Sequence, residues 1–385
     1  MSMMLRTAAL TLALMGIFIV SAMTAGRAAD KGNFSTEPRM HNEKKWKIGY
    51  YEGGEYFDYQ KTLTETVRGL MKMGWIETAE IPPQKGEQTK ELWHWLATGA
   101  KSHYIEFIED FYYSANWDDT LRPKMTASII ERLNKKKDID LLIAMGTRAG
   151  QDMANDKHSI PTLVITASDP ISAGIIKSLD DSGFEHIHAY FDPNRFERQV
   201  KVFHEIIGFK KLGVAYEDSV SGKSYAAIDV IEKVAKERNF EVVKCFTISD
   251  VADIRSAETS LAACFDQLVL SADAIYVTQQ GGLNQHSIPE LAQIANKHRI
   301  PTFSQSGSEE VKLGFLVSLS QAGFKYEGEF NAQSIAKIFN GAKPYQLDQL
   351  FEQPPKIAIN LKTAESIGFD PPIVLLGAAD EIFRE

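Results

Sequence analysis

The residues best placed to do chemistry in this 385-residue chain are polar and aromatic side chains that directly follow short apolar runs. Tyr50, Tyr51, Glu52, Gly53, Gly54, Glu55 and Tyr56 end or follow the first run. Gly146, Thr147 and Arg148 follow Leu141-Leu142-Ile143-Ala144-Met145, and Ser168 and Asp169 follow the run at 161–166. In the second half the same place is taken by Tyr216, Glu217 and Asp218, by Thr278, Gln279 and Gln280, and by Ser304, Gln305 and Ser306. These side chains supply hydrogen bonds, single charges and flat apolar faces, which is the chemistry of holding a small molecule. No nucleophile stands beside a base among them, so no catalysis on the bound molecule is expected.

The motifs that would say otherwise fail on spacing. Gly222-Lys223-Ser224 ends like a phosphate-binding loop, but Glu217 occupies the position where that loop needs its first glycine. His186 and His188 alternate as metal ligands do, with no third ligand in reach. No His-Glu-x-x-His and no Gly-x-Ser-x-Gly occurs. Neither a metal nor a cofactor is expected. The net charge is -9 and no basic stripe is visible, which argues against a nucleic-acid partner.

Strand–helix alternation positions these residues. Lys47 to Tyr51 reads as a strand, followed by a helix with Leu63, Val67, Leu70 and Met71 on one face. A helix over 121–135, the buried strand 141–145, a helix from Thr147 and a strand at 161–166 continue the series. The second half repeats it: a helix through Phe196, Val200, Phe203 and Ile207, then strands at 212–216, 241–246, 274–278 and 300–304, with helices at 221–239 and 287–297. Such alternation means parallel sheets covered by helices. About ten strands exceed what one sheet of this kind usually carries, so the expectation is an α/β protein of two parallel sheets, hence two lobes, with the seam near 188–192.

Ligands of open α/β sheets bind outside the carboxyl ends of the strands. The expected lining residues are therefore Tyr51, Thr147, Ser168, Asp169, Glu217, Gln279 and Gln305. Thr147 and Ser168 would take an anionic end, with the helix start at Gly146 adding its free N–H groups; Thr147 equally suits a helix cap. Asp169 or Glu217 would take a cationic end, although Asp169 before Pro170 also suits a cap. Tyr50, Tyr51, Tyr56 and Tyr59 are candidates to wall a ring. Alternation turns Tyr50 and Tyr51 to opposite faces, so at most one of those two lines the site.

The chain opens with Arg6, an apolar run over residues 8–22, and Gly26 and Ala28 at -3 and -1. This pattern reads as a signal peptide of residues 1–28 cut after Ala28. There is no cysteine there for a lipid anchor. The mature protein is then expected free in the periplasm, monomeric, and not spanning the membrane. Cys245 and Cys264 are the only cysteines; a disulfide and two buried thiols are both open.

Ile160-Pro161-Thr162-Leu163-Val164-Ile165-Thr166-Ala167-Ser168-Asp169-Pro170-Ile171-Ser172-Ala173-Gly174-Ile175-Ile176-Lys177-Ser178-Leu179 resembles the central signature of a family of ABC-transporter substrate-binding proteins that includes binders of tryptophan and related amino acids. Gly341-Ala342-Lys343-Pro344 and Ile359-Asn360-Leu361-Lys362-Thr363-Ala364-Glu365-Ser366-Ile367-Gly368-Phe369 resemble it too. The resemblance implies a type I periplasmic binding fold, two Rossmann-like lobes joined by a hinge, with the ligand between them. The residues themselves divide the chain into a flexible leader at 29–45, a first lobe of 46–188 and a second of 189–320 plus a segment near 355–385; the resemblance returns a helix near 324–345 to the first. It also implies a small polar or aromatic solute, an amino acid among the candidates, delivered to an ABC permease. A sensor reporting to a membrane kinase or cyclase would use the same cleft. Amino-acid binders of this family tend to carry an acid before the returning helix; here residues 318–326 hold none before Glu327.

Overall fold

The computed structural model describes residues 32–321, 324–352 and 355–384; the expected signal peptide lies outside the described residues. Two sheets organise the chain from Phe34 onward. The first has the order β2-β1-β3-β4-β5, built from β1 (Trp46–Glu52), β2 (Ile105–Ser114), β3 (Leu141–Met145), β4 (Thr162–Ile165) and β5 (Ile187–Ala189). Every pairing in it is parallel. Its helices are α1 (Phe57–Lys72), α2 (Lys90–Thr98), α3 (Arg122–Lys135) and α4 (Gly146–Met153).

The second half continues with α5 (Arg195–Ile207), β6 (Lys211–Tyr216), α6 (Val220–Ala226), α7 (Ile228–Arg238) and β7 (Glu241–Phe246). Next come α8 (Ile254–Leu268), β8 (Ala274–Val277), α9 (Ile288–Lys297), β9 (Thr302–Ser304), α10 (Ser308–Lys312) and β10 (Val317–Gln321). The chain then forms α11 (Phe324–Phe339), β11 (Pro355–Asn360), α12 (Leu361–Ile367), α13 (Ile373–Ala378) and β12 (Glu381–Phe383). The second sheet runs β12-β11-β10-β9-β8-β6-β7, parallel except where β11 runs against β10.

Each sheet is covered on both faces, which is why its central strands read as unbroken apolar runs. Leu141, Leu142, Ile143, Ala144 and Met145 are all buried. Leu141, Ile143 and Met145 face one apolar cluster with Tyr50 and Leu63, while Leu142 and Ala144 face another with Tyr51 and Phe111. Helix α11 closes the first of these clusters: its Ala332, Ile335, Ala336 and Phe339 pack among Leu63, Val67 and Leu70 of α1. Burying an apolar side chain of this size contributes about 1.5–3 kcal/mol, so α11 is tied to the first sheet although it follows β10 of the second. Gly328 permits the close approach, because a Cβ there would lie 2.3 Å from the backbone carbon of Glu65.

The chain passes between the sheets after β5, after β10 and before β11. Two of these passages pair, Phe191 N–H donating to Gln349 O at 2.9 Å and Phe351 N–H to Phe191 O at 3.2 Å.

Some expectations change. The single helix expected over 221–239 is two, because Ala227 takes a left-handed conformation (φ 53°) and buries its methyl beside Phe191 and Phe196. Strand β2 lies at a sheet edge, and its mixed exposure puts charges at Glu106, Glu109 and Asp110 that hide it from periodicity. Residues 34–45 form no α-helix or long strand, and two of their hydrogen bonds reach the first lobe. Trp75 Nε1 donates to Thr36 O (2.9 Å) and Arg39 Nε to Phe339 O (3.1 Å). Cys245 of β7 and Cys264 of α8 form a disulfide, their Cα atoms 5.6 Å apart.

Candidate functional site

Between the two sheets lies a cavity of ≈ 210 Å³. The carboxyl ends of β3, β4 and β8 bring Thr147, Ser168 and Gln279 to its wall. The turn from β1 into α1 adds Tyr56, Phe57, Asp58 and Tyr59. Gly146 makes room for this turn. Its φ of +85° is open to glycine, and a side chain there would strike the Tyr59 hydroxyl, 1.8 Å away. Trp117, Tyr190, Phe324 and Phe351 complete an aromatic wall, and Arg195, Glu310 and Glu327 add charge.

The lobes touch directly across this cavity. Arg148 Nε donates to Asp250 Oδ2 at 2.9 Å. Gln279 Nε2 donates to Asp58 Oδ2 at 3.0 Å and Gln279 Oε1 accepts from Ser168 Oγ at 3.0 Å. Ser224 Oγ donates to Asp169 O at 3.0 Å. The structure is thus a closed arrangement.

Charge in the cleft is unevenly matched. Arg148 is committed to Asp250 and to Asp119 (2.8 Å). Arg195 donates to Gln305 O at 3.3 Å, while its buried Nε has no hydrogen-bond partner. Facing it are carboxyl groups that burial pushes upward. Asp58 rises to about 7 by desolvation and the nearby Glu327 charge, against the pull of Arg195. Glu310 rises to about 7 by desolvation, although Ser304 Oγ donates to it at 2.6 Å. Glu327 also rises by desolvation, opposed by its hydrogen bond from the Tyr190 hydroxyl.

Of the seven residues expected from sequence, Thr147, Ser168 and Gln279 line the cavity and the other four do not. Tyr51 is fully buried on the opposite face of its sheet, its hydroxyl donating to Asp152 Oδ2 at 2.6 Å. Asp169 caps the following turn, accepting from the N–H groups of Ile171 (3.1 Å) and Ser172 (2.9 Å). Glu217 accepts from the Asp250 N–H at 3.2 Å behind the wall. Gln305 is fully buried one layer back, accepting from the Gln279 N–H (2.7 Å) and donating to Tyr225 O (2.8 Å). Tyr50 is core, so neither strand tyrosine lines the cavity; Tyr56 and Tyr59 do.

Sequence reasoning missed Asp58, Arg195, Glu310 and Glu327 as wall residues. The acid absent from residues 318–326 has a counterpart one residue further on, in Glu327 of the first turn of α11. The phosphate-loop look-alike is a helix start capped by Ser219, which accepts from the Gly222 N–H at 2.9 Å, and Lys223 pairs with Asp218 at 2.7 Å. His186 stacks edgewise on His158, and His188 Nε2 meets Asp348 O at 2.9 Å. Among the described residues no group of three His, Cys, Asp or Glu side chains could hold a metal, and no helix is long and apolar enough to cross a membrane.

Two α/β lobes with a polar and aromatic cleft between them define the fold of the type I periplasmic binding class. The sequence matches the ABC transporter substrate binding protein family over residues 109–382, and the chain belongs to that family. It is a family of solute-binding proteins, for which a small-molecule ligand and an ABC permease are the partners. A tyrosine-binding protein of Clostridioides difficile (strain R20291) is 26% identical over 321 residues, covering 83% of this chain and 79% of the relative. Among solved structures, a Streptococcus pneumonia ABC domain in complex with L-Trp is 19% identical, with a TM-score of 0.67 over 88% of this chain and 100% of that one. A ligand-free, open substrate-binding protein from Clostridium difficile with adhesive properties is 21% identical, with a TM-score of 0.58 over the same shares.

Proposed function

We propose that the protein is a periplasmic receptor that carries an aromatic amino acid to an ABC importer, exported through a cleaved signal peptide and performing no reaction on its cargo. The observation that carries this reading is the composition of the interlobe cavity. It joins an aromatic wall to one partnerless guanidinium nitrogen and to the carboxyl groups of Asp58, Glu310 and Glu327, which take hydrogen bonds from the neutral donors Gln279, Ser304 and Tyr190. A zwitterion with a flat side chain complements all three. Its carboxylate would meet Arg195 Nε, its ammonium the carboxyl groups of Asp58, Glu310 and Glu327, and its ring Tyr56, Tyr59 and Trp117. Stacked aromatic contacts add about 0.5–1.5 kcal/mol each beyond area burial.

Size supports a single small solute. At ≈ 210 Å³ the cavity falls below the ~300–1,000 Å³ of sites for drug-sized ligands, which favours one amino acid over a peptide or oligosaccharide. The tyrosine-binding relative and the tryptophan complex support the same class. Ligand contacts from both lobes would favour the closed state over an open one by hinge motion.

Titration calorimetry of the mature protein with L-tyrosine, L-tryptophan and L-phenylalanine tests this. Micromolar or tighter binding of at least one is expected, weakened at least tenfold by Arg195→Gln. No heat from any of the three, with native mass spectrometry recovering an unrelated solute, would rule out the aromatic amino-acid assignment.

A further inference from the structure

Resting on the reading that this cleft is the ligand site, we propose that Asp58 of the first lobe and Glu310 of the second form a like-charge gate. The cleft closes stably only when a positive charge, either the ligand's cationic nitrogen or a proton, lies between them.

The geometry is that of two carboxyl groups carried on opposite sides of the moving joint. Asp58 sits in the first turn of α1 and Glu310 in α10, and both face the same cavity. The charges of both, with that of Glu87, push the Tyr56 phenol of the same wall upward, and the Asp58 charge raises Glu310. The other charged groups of the wall are of both signs, with acids in excess: Lys356 of β11, Glu309 of α10 and Glu381 of β12 line the same cavity. Helix α11 contributes Glu327 and the segment before α2 contributes Glu87, both acidic. Helix α5 contributes Arg195, the cation that acts on Asp58. Arg148, the other guanidinium of the wall, is already neutralised by Asp250 and Asp119. Closing the empty cleft therefore buries like charges together, and in a poorly solvated space that disfavours ionisation of both.

The sign of the resulting pH dependence follows from linkage. In an open, wetted cleft the two groups titrate in the ordinary carboxylate range, near ~4. Closed and empty, both titrate at about 7. The closed state thus holds protons more tightly, and ligand-free closure is favoured at low pH and lost as pH rises from ~4 to ~7. A ligand ammonium does the proton's work, so a cationic ligand closes the cleft across this whole range. A deaminated analogue supplies no positive charge and depends on the proton. The gate therefore selects for solutes bearing a cationic nitrogen, and it acts on closure, not on first encounter.

Small-angle scattering of the ligand-free mature protein at pH 5 and pH 8 reads the gate without any ligand. A smaller radius of gyration at pH 5 is expected, with the closed population higher by about tenfold or more for a shift of one unit or more. The double variant Asp58→Asn/Glu310→Gln should be compact at pH 8 as well, and each single variant should fall between it and the unaltered protein, their folding checked by circular dichroism. The same dimensions at both pH values in the unaltered protein overturn the proposal. With L-tyrosine and 3-(4-hydroxyphenyl)propanoate as probes, calorimetry should show the first nearly insensitive to pH and the second about tenfold weaker at pH 8 than at pH 5. If L-tyrosine does not bind while the ligand-free closure keeps its pH dependence, the amino-acid assignment fails and the gate stands.

Discussion

Arg148 of the first lobe and Asp250 of the second meet across the cleft at 2.9 Å, each nearly fully buried. The pair can form only when the lobes are together, so it belongs to the closed state alone. Burial pushes the Asp250 carboxyl up while the Arg148 charge pulls it back, which marks a contact that depends on its partner. Removing one member of a buried pair leaves the other desolvated and uncompensated, at about 3–5 kcal/mol; here Asp119, largely exposed, remains to Arg148 and softens the loss. Asp250→Ala should weaken ligand affinity by about 10–100-fold (~1.4–2.8 kcal/mol), mostly through faster release. Stopped-flow fluorescence would show it, and an unchanged release rate would remove this pair from the closing contacts.

The disulfide makes a prediction confined to one lobe. Cys245 and Cys264 lie 19 residues apart and join an edge strand to the helix that covers it. A cross-link closing a loop of this length stabilises by about 3 kcal/mol. Replacing both cysteines with alanine should lower the melting temperature and raise hydrogen exchange in β7 and α8, with the first sheet unchanged. Equal loss of protection in both lobes would contradict it.

Much of this architecture is legible in the sequence because it is local. The all-apolar run at 141–145 announces a strand covered on both faces, and the i, i+4, i+7 spacing of Leu63, Val67 and Leu70 announces α1. The site is only half legible, for physical reasons. The rule that ligands sit at strand ends places Thr147, Ser168 and Gln279 on the wall, but it cannot tell a wall residue from one a layer behind. Gln305 sits behind Gln279, and Asp169 satisfies backbone N–H groups instead of facing the cavity. Arg195, Glu310 and Glu327 come from helix starts near the crossings and from a five-residue helix. What they face is decided by how the two lobes meet, and no periodicity encodes that.

Gly328 links packing to the site. A Cβ at this position would lie 2.3 Å from the Glu65 carbonyl carbon and 2.6 Å from its oxygen. Both are backbone atoms, which cannot swing aside. Gly328→Ala should push α11 off α1, at about 1–3 kcal/mol for overpacking, and shift the neighbouring Glu327 in the wall. Both a lower melting temperature and a weaker affinity are expected. Gly341→Ala serves as a control for substitution at a glycine with no neighbouring atom in the way, although its positive φ adds strain of its own.

Glu52 offers a test of stability against pH that is separate from ligand binding. It is fully buried at the end of β1, outside the cavity wall, and accepts hydrogen bonds from Tyr50 (2.7 Å), Thr89 (2.7 Å) and Tyr112 (3.0 Å). Desolvation raises it to about 7 in spite of those three donors. In the unfolded chain the same group titrates near ~4.3. The folded protein therefore holds this proton more tightly, so the contribution of Glu52 to stability is greatest at acidic pH. It falls as pH rises from ~4.3 to ~7, and is constant beyond. Glu52→Gln removes the titration and keeps a side chain of the same shape. The melting temperature of the natural protein relative to Glu52→Gln should therefore be nearly level from pH 8 to about pH 7 and rise from there to pH 5. Differential scanning calorimetry at several pH values in that interval measures it. Two parallel curves would mean that Glu52 holds the same charge in the folded and unfolded chains, and that the three hydroxyls fully compensate its burial.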